Sequence, residues 1–206
     1  MPDFSFETVH GRSQGRILCG VDEVGRGPLA GPVIAAAAII PADINPDLLA
    51  GVRDSKKLST KQREALFDPL CAACPHAIAE ANVAEINQIN ILWASMLAMN
   101  RAIIALPQPV DLALIDGNRI PKDLPCPAIP IVKGDDKSLS IAVASIIAKV
   151  TRDRLMTRLA GEHPHYGWER NAGYGTAEHL RAIDQHGITV WHRDSFAPIA
   201  KRKLVS

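Results

Sequence analysis

No stretch of this sequence stays apolar for the roughly 20 residues that a membrane-spanning helix requires. Its first residues, MPDFSFETVHGRSQGR, hold no apolar core of the kind an export signal carries. Both absences predict a soluble protein of the cytoplasm. Charge of one sign is missing too. Lys and Arg number 23 against 22 Asp and Glu, a net of +1. No global field therefore draws the chain to nucleic acid or lipid, and any such contact must come from local patches. Among the four cysteines, Cys71 and Cys74 have CxxC spacing, but no second pair completes a zinc tetrahedron. That spacing also fits one turn of an alanine-rich helix, and reduced, buried thiols agree with a cytoplasmic address. GxxxxGK[ST] does not occur, which excludes a P-loop, and the histidines lack HExxH spacing. Repeats and low-complexity segments are absent.

What is there suits one domain with a real core: 206 residues, 47% of them hydrophobic. We read residues 1–206 as that domain. Residues 1 to about 14 are expected to be a loose arm, and about 161–206 a small helical C-terminal extension. The chain is organised around ILCGVDEVGRGPLAGPVIAAAAII, Ile17 to Ile40. Two short apolar runs flank a Gly/Pro turn, which predicts two strands and their connection. Asp22 and Glu23 end the first strand, beside the loop Gly25-Arg26-Gly27-Pro28. A solvated turn is the ordinary reading of paired acids, but these flanks are too apolar for an exposed edge. Acids forced together near a core repel unless a cation neutralises them. Hard divalent ions such as Mg²⁺ bind through a few carboxylates plus substrate phosphate.

Further along, Ser59-Thr60-Lys61-Gln62 matches a capping box and predicts a helix to about Ala73. His76 to Val83 alternates weakly, as a third strand. Asn82 and Glu85 are placed to cap a helix to about Ala105, whose Ile86, Ile89, Leu92, Trp93, Met96, Leu97 and Ile103 form a core stripe. Asp111–Asp116 and Ala128–Val132 read as strands, and about Ser138–Ala160 as a long buried helix. Gly161–Gly175 reads as a loop, and Thr176 as the cap of a helix to about Gln185. Strands interleaved with helices argue for a mixed sheet with helices on its faces, with chemistry at strand ends.

Acids recur at such ends. Asp116 closes the central strand, and Asp135 precedes the long helix. If these ends converge with Asp22 and Glu23, four carboxylates surround one hole, able to hold two divalent ions that clamp a phosphodiester. Asp136, Asp153 and Asp54 compete for the fourth place; Asp153, spaced to pair with Lys149, reads as a surface acid. Arg53, Lys56, Lys57, Lys61 and Arg63 cluster at one junction, and Lys149, Arg152, Arg154 and Arg158 along one helix end. Each set alone fits a solvated face; beside an acidic metal site they suggest a track for a phosphate backbone. Tyr174, between Gly173 and Gly175, suits stacking on a sugar or base as well as it suits a core. Gly25-x-Gly27-x-x-x-Gly31 misses the dinucleotide fingerprint, because position 30 is alanine.

GVDEVGRGPLAGPV, DSKKLS, LIDGN, KGD, SIAVASIIAKVTRD and GYGT occur in that order between about Cys19 and Pro198. Six such segments at these separations closely resemble bacterial ribonuclease HII, the type 2 ribonuclease H. The resemblance implies an α/β, RNase H-like fold: a mixed five-stranded sheet flanked by helices, with a small helical C-terminal part. It implies an endonuclease that cuts the RNA strand of RNA/DNA hybrids and incises 5′ of single ribonucleotides in duplex DNA, leaving 5′-phosphate and 3′-hydroxyl ends. The cofactor it implies is Mn²⁺ or Mg²⁺. Its catalytic acids fall on Asp22, Glu23, Asp116 and Asp135, the first three as metal ligands. Its substrate contacts fall on Gly25, Arg26 and Gly27, whose backbone reads a 2′-hydroxyl, on Tyr174 at the junction, and on Lys56 and Ser145 near phosphates. Where the family often has HRRSF, this chain has His192-Arg193-Asp194-Ser195-Phe196, so a backbone contact there is expected to weaken. The absence of an apolar surface stripe favours a monomer. Two rivals remain at this stage: a DNA nuclease or resolvase on the same fold, and a binding module in which the acids are structural.

Overall fold

The apolar runs pair into one sheet in the computed structural model, which describes residues 1–203. The strands are β1 (Leu18–Val24), β2 (Val33–Ile39), β3 (His76–Ala81), β4 (Leu112–Asp116) and β5 (Ala128–Ile131). Their order is β3-β2-β1-β4-β5. β1, β2 and β3 pair antiparallel, whereas β4 and β5 continue from β1 in parallel. The sheet is thus mixed, and β1 lies at its centre.

Side chains of a strand alternate between faces, and β2 shows how both faces are used. Ala35 and Ala37 join the core under α4 (Val83–Ile104). Ala36 and Ala38 join the core under α3 (Thr60–Ala73) and α5 (Leu139–Glu162). Small residues let the helices come close. The tightest approach is at Gly20, where an added Cβ would lie 2.0 Å from the Ser140 backbone carbon. The start of α5 therefore crosses directly over β1, two residues before Asp22.

Caps fix the helix starts. Ser59 with Gln62 and Asn82 with Glu85 form reciprocal capping boxes, and Ser138 and Thr176 accept from backbone N–H groups of their helices. The C-terminal part carries α6 (Trp168–Asn171), α7 (Ala177–His186) and α8 (Ala197–Lys203). Trp168, Tyr166, Ile183 and Ile199 pack there on Met156 and Leu159 of α5 and on Leu29 and Ala30 of the β1–β2 connection. A short helix, α2 (Pro46–Leu49), fills part of the connection after β2.

Two expectations need correction. The first residues are not a loose arm. They form α1 (Ser5–Val9), and Glu7, fully buried, accepts from the Ser138 hydroxyl at 2.7 Å and the Ser140 N–H at 2.9 Å. Arg12 then donates to the carbonyls of Ile40 and Pro41 at 2.6 and 2.8 Å. The stripe of α4 is also not continuous. Asn90 sits at φ 64°, ψ 165°, and its side chain accepts from the Leu92 N–H at 3.0 Å, restarting the helix. The break changes the helical phase, so Trp93 is 42% exposed, with the Lys122 ammonium 5.3 Å from its ring centre.

Candidate active site

Parallel pairing of β1 with β4 sets Val21 beside Ile115, so the next residues, Asp22 and Asp116, come side by side at the strand ends. Carboxylate oxygens of Asp22, Glu23 and Asp116 all lie within 4.8 Å of one another. Each is held. Asp22 Oδ1 accepts the Glu23 N–H at 2.7 Å, and Asp116 Oδ1 accepts the Gly134 N–H, also at 2.7 Å. A glycine leaves room for that approach, since a Cβ at position 134 would lie 2.5 Å from Ile141 Cδ1 and 3.2 Å from the same carboxylate oxygen. Glu23 Oε1 meets Arg26 Nη1 at 3.2 Å, but Glu23 Oε2 is buried without a partner among the described residues.

Burial, then the charges of Glu23, Asp116 and Asp135, push the Asp22 carboxyl well above the usual range. Burial lifts Glu23 to about 7 despite the Arg26 guanidinium beside it. Asp135 is raised as well, by burial and by Asp116. A buried, orphaned carboxylate oxygen among crowded acids is what a hard divalent cation relieves. Asp22, Glu23 and Asp116 form an acidic metal site. Asp135 lies at its edge, 3.3 Å from Lys56 Nζ. Asp136 turns away to Lys57 at 2.6 Å, and Asp54 caps the turn at Ser55–Lys57. Asp153 pairs with Lys149 at 2.5 Å and lies 3.6 Å from Arg63.

A family model described as Ribonuclease HII matches residues 19–199. The chain belongs to the ribonuclease HII family. A ribonuclease HII of Rhodospirillum rubrum is 58% identical over 202 residues, covering 97% of this chain and 90% of that protein. The crystal structure of ribonuclease H2 from Pyrococcus horikoshii superposes with a TM-score of 0.76 at 26% identity, over 92% of this chain and 98% of that one. Bst-RNase HIII, solved in complex with Mn²⁺, shares the fold with a TM-score of 0.74 at 22% identity, over 92% of this chain and 70% of that one.

The other residues expected to contact substrate lie on α5 and around the β1–β2 connection. Ser145, buried on α5, shares a 2.8 Å hydrogen bond with Ser55, and its hydroxyl partly offsets the rise of Asp22. In the Gly25–Gly27 loop, no N–H has a partner among the described residues. Tyr174 is 50% exposed, and its Cε1 would lie 3.2 Å from a Cβ at Gly27. The loop and the tyrosine thus share one wall beside the acids.

Two arginines shape that loop, and residue type alone hid them. Arg193 donates to the carbonyls of Gly25, Arg26, Pro28 and Gly31 at 2.6, 3.1, 2.7 and 2.9 Å. Arg152 donates to those of Ala30, Pro32 and Ala172 at 3.0, 3.1 and 3.0 Å. Burial pushes Arg193 down to about 9 and Arg152 down to about 10, so both stay charged at neutral pH. Arg152 therefore leaves the expected backbone track. So does Arg63, which is buried on the carbonyls of Ser55 and Leu58. The departure at Asp194 also falls beside the key contact, since all four of those loop bonds are made by Arg193.

Proposed function

We propose that this chain is a metal-dependent endonuclease that hydrolyses RNA in RNA/DNA hybrids and incises on the 5′ side of single ribonucleotides in duplex DNA. The orphaned oxygen of Glu23, inside a cluster of three carboxylates, carries this reading. Asp22, Glu23 and Asp116 would hold the ions, Mn²⁺ or Mg²⁺. Once held there, such ions would supply Lewis-acid chemistry, lowering the pKa of a bound water and offsetting charge on the leaving oxygen. The three acids fix where the scissile phosphate sits. Asp135 completes the site or helps position the attacking water, and the displacement runs in line without a covalent intermediate, leaving a 5′-phosphate and a 3′-hydroxyl.

The loop supports the selectivity. With its carbonyls turned inward onto Arg193, it offers the N–H groups of Gly25, Arg26 and Gly27 to a ribose 2′-hydroxyl. Tyr174 stacks at the RNA–DNA junction, and Lys56 and Ser145 lie toward phosphates. Residues 1–206 act as one domain and as a monomer in the cytoplasm. Among the described residues no helix is long and apolar enough to cross a membrane, and all four cysteines are free thiols. The test is cleavage of three labelled duplexes, an RNA/DNA hybrid, DNA with one ribonucleotide, and all-DNA, with Mg²⁺, Mn²⁺ or chelator. Metal-dependent cutting of the first two, with the expected ends, supports the reading. Equal cutting of all-DNA favours a general nuclease.

A further inference from the structure

Behind Tyr174 lies a buried network that the reaction does not use. Trp168 Nε1 donates to His179 Nε2 at 3.0 Å, and His192 Nε2 faces the same nitrogen at 3.1 Å. His179 Nδ1 lies 2.9 Å from the Tyr174 carbonyl. The Thr189 N–H donates to His192 Nδ1 at 2.9 Å.

These contacts fix both tautomers. An indole N–H only donates, so His179 Nε2 is an acceptor and its proton sits on Nδ1, where it bonds the Tyr174 carbonyl. A backbone N–H only donates, so His192 Nδ1 is an acceptor and its proton sits on Nε2, aimed at His179. Each ring carries one proton, and among the described residues the only oxygen near an occupied nitrogen is the Thr189 hydroxyl, 3.1 Å from His192 Nδ1. On His179 a second proton would meet two donors; on His192 it would meet the Thr189 N–H.

The network also spans the substrate wall. The Tyr174 carbonyl takes a second bond from the Thr176 N–H at 2.8 Å, and the Tyr174 N–H donates to the Asn171 carbonyl at 2.8 Å. His192 precedes Arg193, which holds the facing loop.

We propose that His179 and His192 are a positioning pair that sets Tyr174 against the Gly25–Gly27 loop and works only while both rings are uncharged. This rests on the reading that Tyr174 and the loop contact the substrate. Burial favours the neutral rings, lowering His179 and, with His179 beside it, pushing His192 down to about 4. The other titratable groups facing the pair are Glu178, which favours charge on His179, Asp194, which favours it on His192, and His163, which opposes it there. Tyr166 packs edge-on against both rings, with its hydroxyl spent on the Gly187 carbonyl.

Two substitutions separate the roles of the ring. Asparagine at 179 puts an amide N–H where Nδ1–H sits, whereas glutamine reaches only the Nε2 position. With Mg²⁺ and a duplex holding one ribonucleotide, His179→Gln lowers kcat/KM about tenfold, and His179→Asn retains most of it. In a Tyr174→Ala background, His179→Gln has no further effect, because the two changes remove one function. If Tyr174→Ala alone changes nothing, the reading of Tyr174 fails. If Tyr174→Ala matters but His179→Gln is silent, or is equally harmful with and without Tyr174, the positioning pair fails. A second readout needs no variant to fold. Long-range ¹H–¹⁵N spectra of the unsubstituted protein at neutral pH are expected to show the Nδ1–H form of His179 and the Nε2–H form of His192; any other pair of forms overturns the proposal.

Discussion

Arg193 and Gly25 are joined by a 2.6 Å hydrogen bond between residues 168 apart in the chain. The C-terminal extension is therefore part of the active-site wall. It holds the loop carbonyls and leaves the loop N–H groups without a partner among the described residues.

Replacing Arg193 with lysine keeps the charge but supplies a point donor instead of a fork. At least one buried carbonyl then loses its partner, at a cost of about 1–3 kcal/mol. Thermal unfolding is expected to show that loss. Cleavage kinetics are expected to show a larger fall on a single-ribonucleotide duplex than on a hybrid, where many 2′-hydroxyls are offered. Equal falls on both substrates would remove the loop from the account of selectivity.

The acids make stability depend on pH in a direction opposite to the common one. Glu23 and Asp22 have folded pKa values above their unfolded ones, the former at about 7. Such groups stabilise the fold while protonated, and that stability is lost as pH rises through the raised values. The neutral histidine pair acts in the other direction below its unfolded range. The measurement is therefore a difference: melting temperature with Mn²⁺ minus that with chelator, from mildly acidic to mildly alkaline pH. The gap is expected to widen as pH rises, and a flat gap would mean the acids are not the binding site.

Glu7 fastens the first helix to the start of α5, behind the loop that holds Asp135. Glu7→Ala strands the Ser138 hydroxyl and the Ser140 N–H, at about 2–3 kcal/mol. A fall in melting temperature of roughly 4–12 °C is expected by calorimetry for a chain of this size. No change would mean that the segment is dispensable to the fold.

Much of this arrangement was legible in the sequence because it is local. Ser59, Asn82, Ser138 and Thr176 announce helix starts by residue type and spacing, and each accepts the expected backbone bond. Asp22 and Glu23 announced themselves by standing in an apolar run. What escaped was long-range. Arg152, Arg193 and Arg63 look like any surface arginine until the carbonyls they satisfy are in place. Glu7 is one acid in a polar segment until Ser138 meets it. The break at Asn90 was hidden because apolar residues continue at helical spacing on both sides. His179 and His192 are only 13 residues apart, but no motif spacing pairs them.

Asp22, Glu23 and Asp116 crowd together because a cation belongs between them. Calorimetric titration of Mn²⁺ into the metal-free protein, beside Asp116→Asn, tests it most directly. Binding with proton release at neutral pH is expected, since the raised acids must ionise, and it should be lost or much weakened in the variant. Binding unchanged by Asp116→Asn, or no binding to the unsubstituted protein, would contradict the account.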